Sequence, residues 1–389
     1  MTSPCGHGEP GLRVLHVIDS LARGGAETSL AAMAPHLLER GVALDIVALR
    51  DRPGLEDRVR SSGASLTVLT GTRRTWWHQV RTIVRQRRPD LVHTTLFEAD
   101  LAGRIGARLA GAPVVSTLAN DAYGPAHRAE LAGRNLKLFG AQLADAATAR
   151  LTTQLHAISF HVAEVMSARL RYPRERIRVI PRGRDPRVLG RRDPERRARA
   201  RAALGVPPEA PVVLTLARQE RQKGLDVLID ALPHVVDQVP NARFFVAGQP
   251  GNATAALERQ LTGTARTDAF TLLGARDDVA ELLNAADLFV LPSRREGLGG
   301  ALLEAMALEC PVVVSDVPPL REVVDDRSAI LVPADDALCL AAAVVTALGD
   351  PAASGARARV AHARFVADFT LDAVVDRMIE FYRGALGRP

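Results

Sequence analysis

The sequence predicts an α/β protein of two doubly wound, Rossmann-like domains, and three observations carry that prediction. Short apolar runs recur along the chain with helix-period segments between them, the pattern of βα repeats around a parallel sheet. The 389 residues are 47% hydrophobic, enough to bury two cores of ordinary domain size. Between the two sets of runs lies an Arg-rich stretch, residues 186–210, with Pro186, Pro194, Pro207 and Pro208, which reads as an exposed interdomain connection. The expected organisation is a first domain over 1–185, a linker over 186–210 and a second domain from 211.

In the first domain, strands are expected at 12–19, 44–49, 66–69, 91–95, 114–117, 155–159 and 177–180. The right-handedness of βαβ crossovers puts ligands at the C-terminal ends of such strands. The first run is followed by Arg23-Gly24-Gly25-Ala26-Glu27 and a helical pattern over 28–40. Glycines there let the backbone approach a ligand, or simply make a tight βα turn. His93 sits within the fourth strand, where a packed core histidine is the commoner outcome, and Thr94, Thr95 and Glu98 follow at its end. Asn120 and Asp121 lie just past the fifth strand. Over 73–88, Trp76, Trp77, Val80, Ile83 and Val84 form one helical stripe among arginines. Such a helix can lie on an anionic membrane with its tryptophans at the interface. A helix covering its own sheet needs the same stripe, and that is the preferred reading. Residues 127–146 read as a longer helix.

The second domain opens with a strand over 211–218 that ends at Arg218, then Lys223-Gly224 and a helix over 225–239. Strands at 242–248 and 270–276 precede a helix over 277–286. An apolar run at 287–291 then enters Pro292-Ser293-Arg294-Arg295-Glu296-Gly297-Leu298-Gly299-Gly300-Ala301-Leu302-Leu303-Glu304. Strand, glycine-rich loop and helix N-terminus form an anion site, because unpaired N–H groups and the helix dipole both face the loop. Glu296 and Glu304 frame it. Carboxylates are poor phosphate ligands but good acceptors from neutral hydroxyls. A diphosphate flanked by two polyols describes a nucleotide sugar.

This loop, with its acids eight residues apart and Pro311-Val312-Val313-Val314-Ser315 behind it, resembles the retaining glycosyltransferases of family 4. These have the GT-B fold, two Rossmann-like domains facing each other across a cleft, and the resemblance covers nearly the whole chain. It implies that Arg218 and Lys223 bind the donor diphosphate and, with Glu296, form the catalytic set. Glu304 would hold ribose hydroxyls and Glu296 a sugar hydroxyl. Gly297, Leu298, Gly299, Gly300 and Ala301 would meet donor oxygens, with Gly24 and Gly25 facing the donor from the first domain. Gly274, Ala275 and Arg276 match the base-recognition loop. Two positions depart from the family. Ala119 stands where many members have a sugar-contacting His, which leaves Asn120, Asp121 and His93 as candidate sugar or acceptor contacts. Arg182-Gly183-Arg184-Asp185 resembles the N-G-x-D turn with Arg182 in place of Asn. The second domain is expected to end near 374, and the last helix, 375–389, to cross back onto the first domain.

The implied reaction transfers a sugar from a UDP- or GDP-sugar, with retention, to a hydroxyl of a glycan, glycolipid or small molecule. It needs no metal and no cofactor beyond the nucleotide-diphosphate sugar as co-substrate, since the negative charge growing on the leaving phosphate meets the permanent cations Arg218 and Lys223. Two rivals stand beside it: a nucleotide-sugar 2-epimerase on the same fold, and a nucleotide-sugar-binding protein without transferase activity.

Composition narrows the partners. The net charge is +6, with the basic excess in residues 1–190, which could meet an anionic lipid, a phosphate-bearing acceptor or nothing in particular, and which leans the expected acceptor towards a glycan or glycolipid. Nucleic acid is excluded as a partner, because aromatics make up only 4% and no recognition motif accompanies the charge. Cys5, Cys310 and Cys339 have neither metal spacing nor even pairing, as suits a reducing cytosol. Residues 1–10 are polar, and no stretch approaches about 18 apolar residues. The expected location is cytoplasmic, with peripheral contact at the inner face of the membrane if the Trp helix faces outward.

Overall fold

The computed structural model describes residues 11–124 and 135–388, which form two compact units: Met1–Gly183 with Leu371–Pro389, and Arg184–Thr370. The first unit contains β1 (Arg13–Ile18), α1 (Gly25–Glu39), β2 (Ala43–Ala48), α2 (Glu56–Ser61), β3 (Ser65–Val68), α3 (Trp76–Arg87), β4 (Leu91–Thr95), α4 (Phe97–Ala110), β5 (Val114–Leu118), α5 (Asn135–Ala149), β6 (Gln154–Ala157), α6 (Phe160–Leu170) and β7 (Ile177–Val179). The strands pair in parallel in the order β3-β2-β1-β4-β5-β6-β7, so the order reverses between β1 and β4. Both faces of such a sheet are covered, which is why its strands read as apolar runs.

On one face, α3 lays Trp76, Val80 and Val84 against Leu15, Val17, Val47 and Val92. The Trp/Arg stripe therefore covers its own sheet, with Trp76 5% exposed. Of the long helix expected over 127–146, residues 127–134 lie outside the described residues, and α5 accounts for the rest.

The second unit contains α7 (Pro186–Leu189), α8 (Pro194–Ala203), β8 (Val212–Leu216), α9 (Leu225–Val236), β9 (Arg243–Ala247), α10 (Thr254–Gly263), β10 (Phe270–Gly274), α11 (Val279–Ala285), β11 (Leu288–Leu291), α12 (Gly300–Ala307), β12 (Val312–Ser315), α13 (Pro318–Arg321), β13 (Ile330–Val332), α14 (Ala337–Gly349) and α15 (Pro351–Asp368). Its parallel sheet runs β10-β9-β8-β11-β12-β13, with the reversal between β8 and β11. The final helix, α16 (Leu371–Ala385), belongs to the first unit. Its Leu371, Val374, Val375, Met378, Phe381 and Tyr382 follow a helical period and join Leu30, Met33 and Leu37 of α1 in one core.

Residues 186–210 are mostly exposed, as the prolines and arginines suggested, but they carry two helices and belong to the second unit. Two of the four prolines start helices: Pro186 and Pro194 occupy first-turn positions, where a missing N–H costs nothing. Asp185 and Asp193 cap those helices, accepting from Arg187 N–H at 2.9 Å and Arg196 N–H at 2.8 Å. Arg187, Arg191 and Arg199 are exposed, while Arg192, Arg196, Arg197 and Arg201 turn onto the second unit. Arg197 reaches Asp287 at 2.6 Å, and Arg201, only 4% exposed, reaches the other oxygen of Asp287 at 3.1 Å. The stretch is thus an integral layer of the second unit, whose boundary falls after Gly183.

No single helix among the described residues is long and apolar enough to cross a membrane.

Candidate active site

The reversal of strand order in a doubly wound sheet opens a crevice at the strand C-termini, and in the second unit the two flanking strands are β8 and β11. The loops leaving them carry Arg218 and Lys223 on one side and 292–300 on the other. Gly224 joins them. Its backbone is left-handed, with φ +63°, and a Cβ built there would stand 2.0 Å from the Pro292 carbonyl oxygen. Only glycine permits both the conformation and the approach. Arg294 completes the clasp: its N–H donates to the Gln222 carbonyl at 2.9 Å, and its guanidinium grips Asp226 bidentately at 2.8 and 2.7 Å. Burial works against the Asp226 carboxylate, yet the hydrogen bond and charge of Arg294 hold it below its ordinary range.

This clasp brings Lys223 Nζ to 2.7 Å from Glu296 Oε1. Ser293 Oγ, fully buried, donates to the same oxygen at 2.8 Å. Lysine and glutamate side chains are 17% and 8% exposed, so the pair is largely removed from water. Glu296 is held as an acceptor on a fixed loop. A carboxylate already occupied by a cation and a hydroxyl is a weak nucleophile and a good orienter of a neutral hydroxyl. Arg218 differs from Lys223, being 55% exposed and only 3.5 Å from Glu220. Its guanidinium is available to an incoming anion.

The glycine-rich turn ends at α12. Gly299 has φ +93° and a Cβ there would press on Leu320 at 2.7 Å, while Leu298 is buried beside it. Glu304, one turn into α12, does not stand open to solvent: Arg184 Nε donates to its Oε1 at 2.6 Å. Sequence reading places Arg184 only in the turn that resembles N-G-x-D and gives it no partner, since nothing local links it to a residue 120 positions away. Gly274 ends β10 with φ +68°, and its carbonyl accepts from Gly248 N–H at 2.7 Å. Ala275 and Arg276 are exposed beyond it, and Arg276 Nε turns onto Asp278 at 2.7 Å.

In the first unit, Gly24 caps α1 with an extended backbone, and Gly25 lies under Arg182, whose Nη1 would be 2.6 Å from an added Cβ. Asn120 is exposed and Asp121 half-buried, its carbonyl taking a bond from Arg169. His93 lies deeper, 1% exposed, with both ring nitrogens engaged: Nδ1 with Tyr382 Oη at 2.8 Å and Nε2 with Thr117 Oγ1 at 2.7 Å. It lines a cavity together with His16, His156, Thr117, Ser29 and Arg182. Burial keeps all three rings neutral, lowering His16 to about 3, His156 to about 4 and His93 well below its ordinary value.

Neutrality orders the protons of this chain. His156 Nε2–H must donate to the Ile180 carbonyl, 2.8 Å away, so its Nδ1 accepts from Thr117 O–H at 3.0 Å. Thr117 then accepts from His93 Nε2–H, and Tyr382 O–H donates to His93 Nδ1. At the end of β1, Asp19 takes Ala99 N–H at 2.6 Å, and burial raises its carboxyl to about 6. Glu98 beside it is shared by Arg50 and Arg73.

Two parallel sheets of seven and six strands, each doubly wound, with a glycine loop and cations at the switch point of the second, define a GT-B protein. The sequence matches the family described as glycosyltransferase family 4 over residues 23–188 and that described as glycosyl transferases group 1 over 210–350. It is 30% identical to 2-deoxystreptamine N-acetyl-D-glucosaminyltransferase of Streptomyces fradiae, over 94% of this chain and 92% of that one. It is also 30% identical to D-inositol 3-phosphate glycosyltransferase 1 of Catenulispora acidiphila, over 100% and 96% of the two chains. The fold is similar to that of HepE of Anabaena in complex with UDP-glucose, with TM-score 0.83 at 22% identity over 96% of this chain and 100% of that one. The chain belongs to the group 1, family 4 glycosyltransferases.

Proposed function

We propose that this glycosyltransferase moves a sugar from a UDP- or GDP-sugar to a hydroxyl of a small polyhydroxylated acceptor, with retention of configuration and without a metal. The observation that carries the reading is the Lys223–Glu296 pair at the β8/β11 switch point, with Arg218 exposed beside it. Lys223 and Arg218 supply permanent positive charge where a leaving diphosphate gains negative charge, and a largely dry setting strengthens that interaction. Glu296 accepts from a hydroxyl of the transferred sugar. As in the family this chain belongs to, the acceptor would attack on the face from which the phosphate departs, with that phosphate taking the acceptor's proton and Glu296 orienting the sugar. Glu304 takes ribose hydroxyls, and N–H groups at the start of α12 face the donor oxygens.

The names of two relatives support a small acceptor. These align over more than nine-tenths of this chain and are named for 2-deoxystreptamine and D-inositol 3-phosphate, both compact hydroxylated rings. That favours a cyclitol over a long glycan or a glycolipid.

Calorimetric titration with UDP and with GDP, on wild type and Lys223→Ala, tests the donor site. One nucleotide should bind and lose at least about tenfold in affinity on substitution. Binding of neither would defeat the reading. With the matching donor sugar, product should form only when an acceptor is present; a changed free sugar without acceptor would indicate an epimerase instead.

A further inference from the structure

We propose that Arg184 is the positioning residue for Glu304 and that, through this carboxylate, it sets the protein's preference for ribonucleoside over deoxyribonucleoside diphosphates. The inference rests on the donor-site reading above and adds a residue to it.

Gly300 and Glu304 are four apart in α12 and so share one helix face, where the glutamate side chain leans back toward the N-terminus. Arg184 lies across that face. Its Nε holds Glu304 Oε1 at 2.6 Å, and its Nη2 would be 2.3 Å from a Cβ at Gly300. The absent side chain at 300 is therefore the seat of the guanidinium. Both partners are mostly buried, with side chains 16% and 18% exposed. Arg184 is itself anchored: its N–H donates to the Phe369 carbonyl at 2.9 Å, and Asp185 next to it caps α7.

A cation over the first turn of a helix opposes the helix dipole, so the placement does not serve α12. It serves Glu304. A free glutamate on a helix surface samples several rotamers, and each hydrogen bond it makes to a ligand must first bear that lost freedom. With Oε1 fixed by a planar guanidinium, the carboxylate is aimed before ligand arrives, ready for a ribose diol. Arginine acts here through Glu304, and its effect should appear only where the ligand has the hydroxyl that Glu304 takes.

The test is calorimetry on the full chain with the nucleoside diphosphate that wild type binds and with its 2′-deoxy and 3′-deoxy counterparts. Wild type should prefer the ribonucleotide over at least one counterpart by about ten- to hundredfold, the range of a hydrogen bond to a charged group. Arg184→Ala should bring that ratio to within about threefold of unity, with affinity for the deoxynucleotide nearly unchanged. Gly300→Ala, which pushes the guanidinium off its seat while keeping the arginine, should lower the ratio as well. Adding Arg184→Ala to Glu304→Gln should lower it no further. Equal loss for ribo- and deoxynucleotides, or a full ratio retained in Arg184→Ala while Glu304→Gln abolishes it, overturns the proposal. Wild type that binds no nucleoside diphosphate instead defeats the donor-site reading, and this inference with it. Thermal melts of each variant separate loss of the ratio from loss of the fold.

Discussion

Lys223 Nζ and Glu296 Oε1 stand 2.7 Å apart although 73 residues separate them in the chain. A pair this far from water is stable only while both partners are present, since either alone is an uncompensated buried charge. Lys223→Ala should therefore lower both catalysis, by about a hundred- to thousandfold, and local stability, by about 3 kcal/mol. Adding Glu296→Gln should restore part of the stability and none of the activity. Hydrogen exchange of the α9 and α12 amides, with turnover of the donor sugar, measures both. Additive stability losses in the double variant would show that the two side chains do not act as a pair.

Gly224 holds the lysine loop against the end of β11, and two independent penalties fall on any replacement. The left-handed backbone costs an L residue about 1 kcal/mol or more, and a methyl would overlap the Pro292 carbonyl at 2.0 Å. Gly224→Ala should destabilise the second unit by at least about 2 kcal/mol and impair donor binding. Gly140→Ala is the matching control. Gly140 is exposed inside α5 with nothing within 4 Å of its missing side chain. Alanine there should stabilise by about 0.5–1 kcal/mol. Chemical denaturation of the two variants decides; equal effects would mean that neither the left-handed backbone nor the Pro292 approach is a constraint.

Tyr382 carries the polar link between α16 and the sheet of the first unit. Its hydroxyl donates to His93 Nδ1 at 2.8 Å in a fully buried setting. Tyr382→Phe keeps the ring packing and leaves the His93 nitrogen without its donor, at a cost of about 1–3 kcal/mol. Truncation before Leu371 removes six buried apolar or aromatic side chains from the α1 core and should leave the first unit unfolded at ambient temperature. Both Trp residues lie in α3, so tryptophan emission during urea unfolding reports the first unit specifically. A stably folded truncation would show that α16 is dispensable.

How far the sequence was readable follows from which interactions are local. Buried parallel strands are apolar over their whole length, so β1, β4, β8 and β11 stood out, and the spacing of Glu296 and Glu304 lies within one loop and helix. The helices within 186–210 are hidden because prolines and arginines look alike in a linker and in a capped helix; the aspartates at 185 and 193 are the signal that marks them. Arg184 and Glu304 meet through the fold of the second unit, and no local pattern announces them. The histidine cluster depends on sheet order. His16 faces His93 only because β1 neighbours β4, and Thr117 faces His156 only because β5 neighbours β6.

That cluster gives the first unit a definite response to acid. His16 and His156 take up protons only near pH 3 and 4 in the folded chain, and His93 also well below its ordinary value, because burial disfavours the charged ring. In the unfolded chain all three titrate near 6.5. Between pH 6.5 and about 4 the unfolded state therefore binds more protons, and stability rises with pH. The histidine contribution is fully present above 6.5 and is lost as pH falls toward the folded values, at up to about 1.4 kcal/mol per pH unit for each ring. Asp19 works in the opposite sense, since its raised carboxyl, at about 6, binds a proton in the folded state first. Comparing wild type with His16→Asn cancels that contribution. The variant should show a stability–pH slope shallower by about 1.4 kcal/mol per pH unit between pH 4.5 and 6, followed by tryptophan emission in urea. His16 suits the comparison because its Nδ1 has no hydrogen-bond partner among the described residues, so removing the ring costs the Thr95 bond and the packing on His93 but no other hydrogen bond. An unchanged slope would place the acid sensitivity elsewhere, with the buried rings of His93 and His156 next in line.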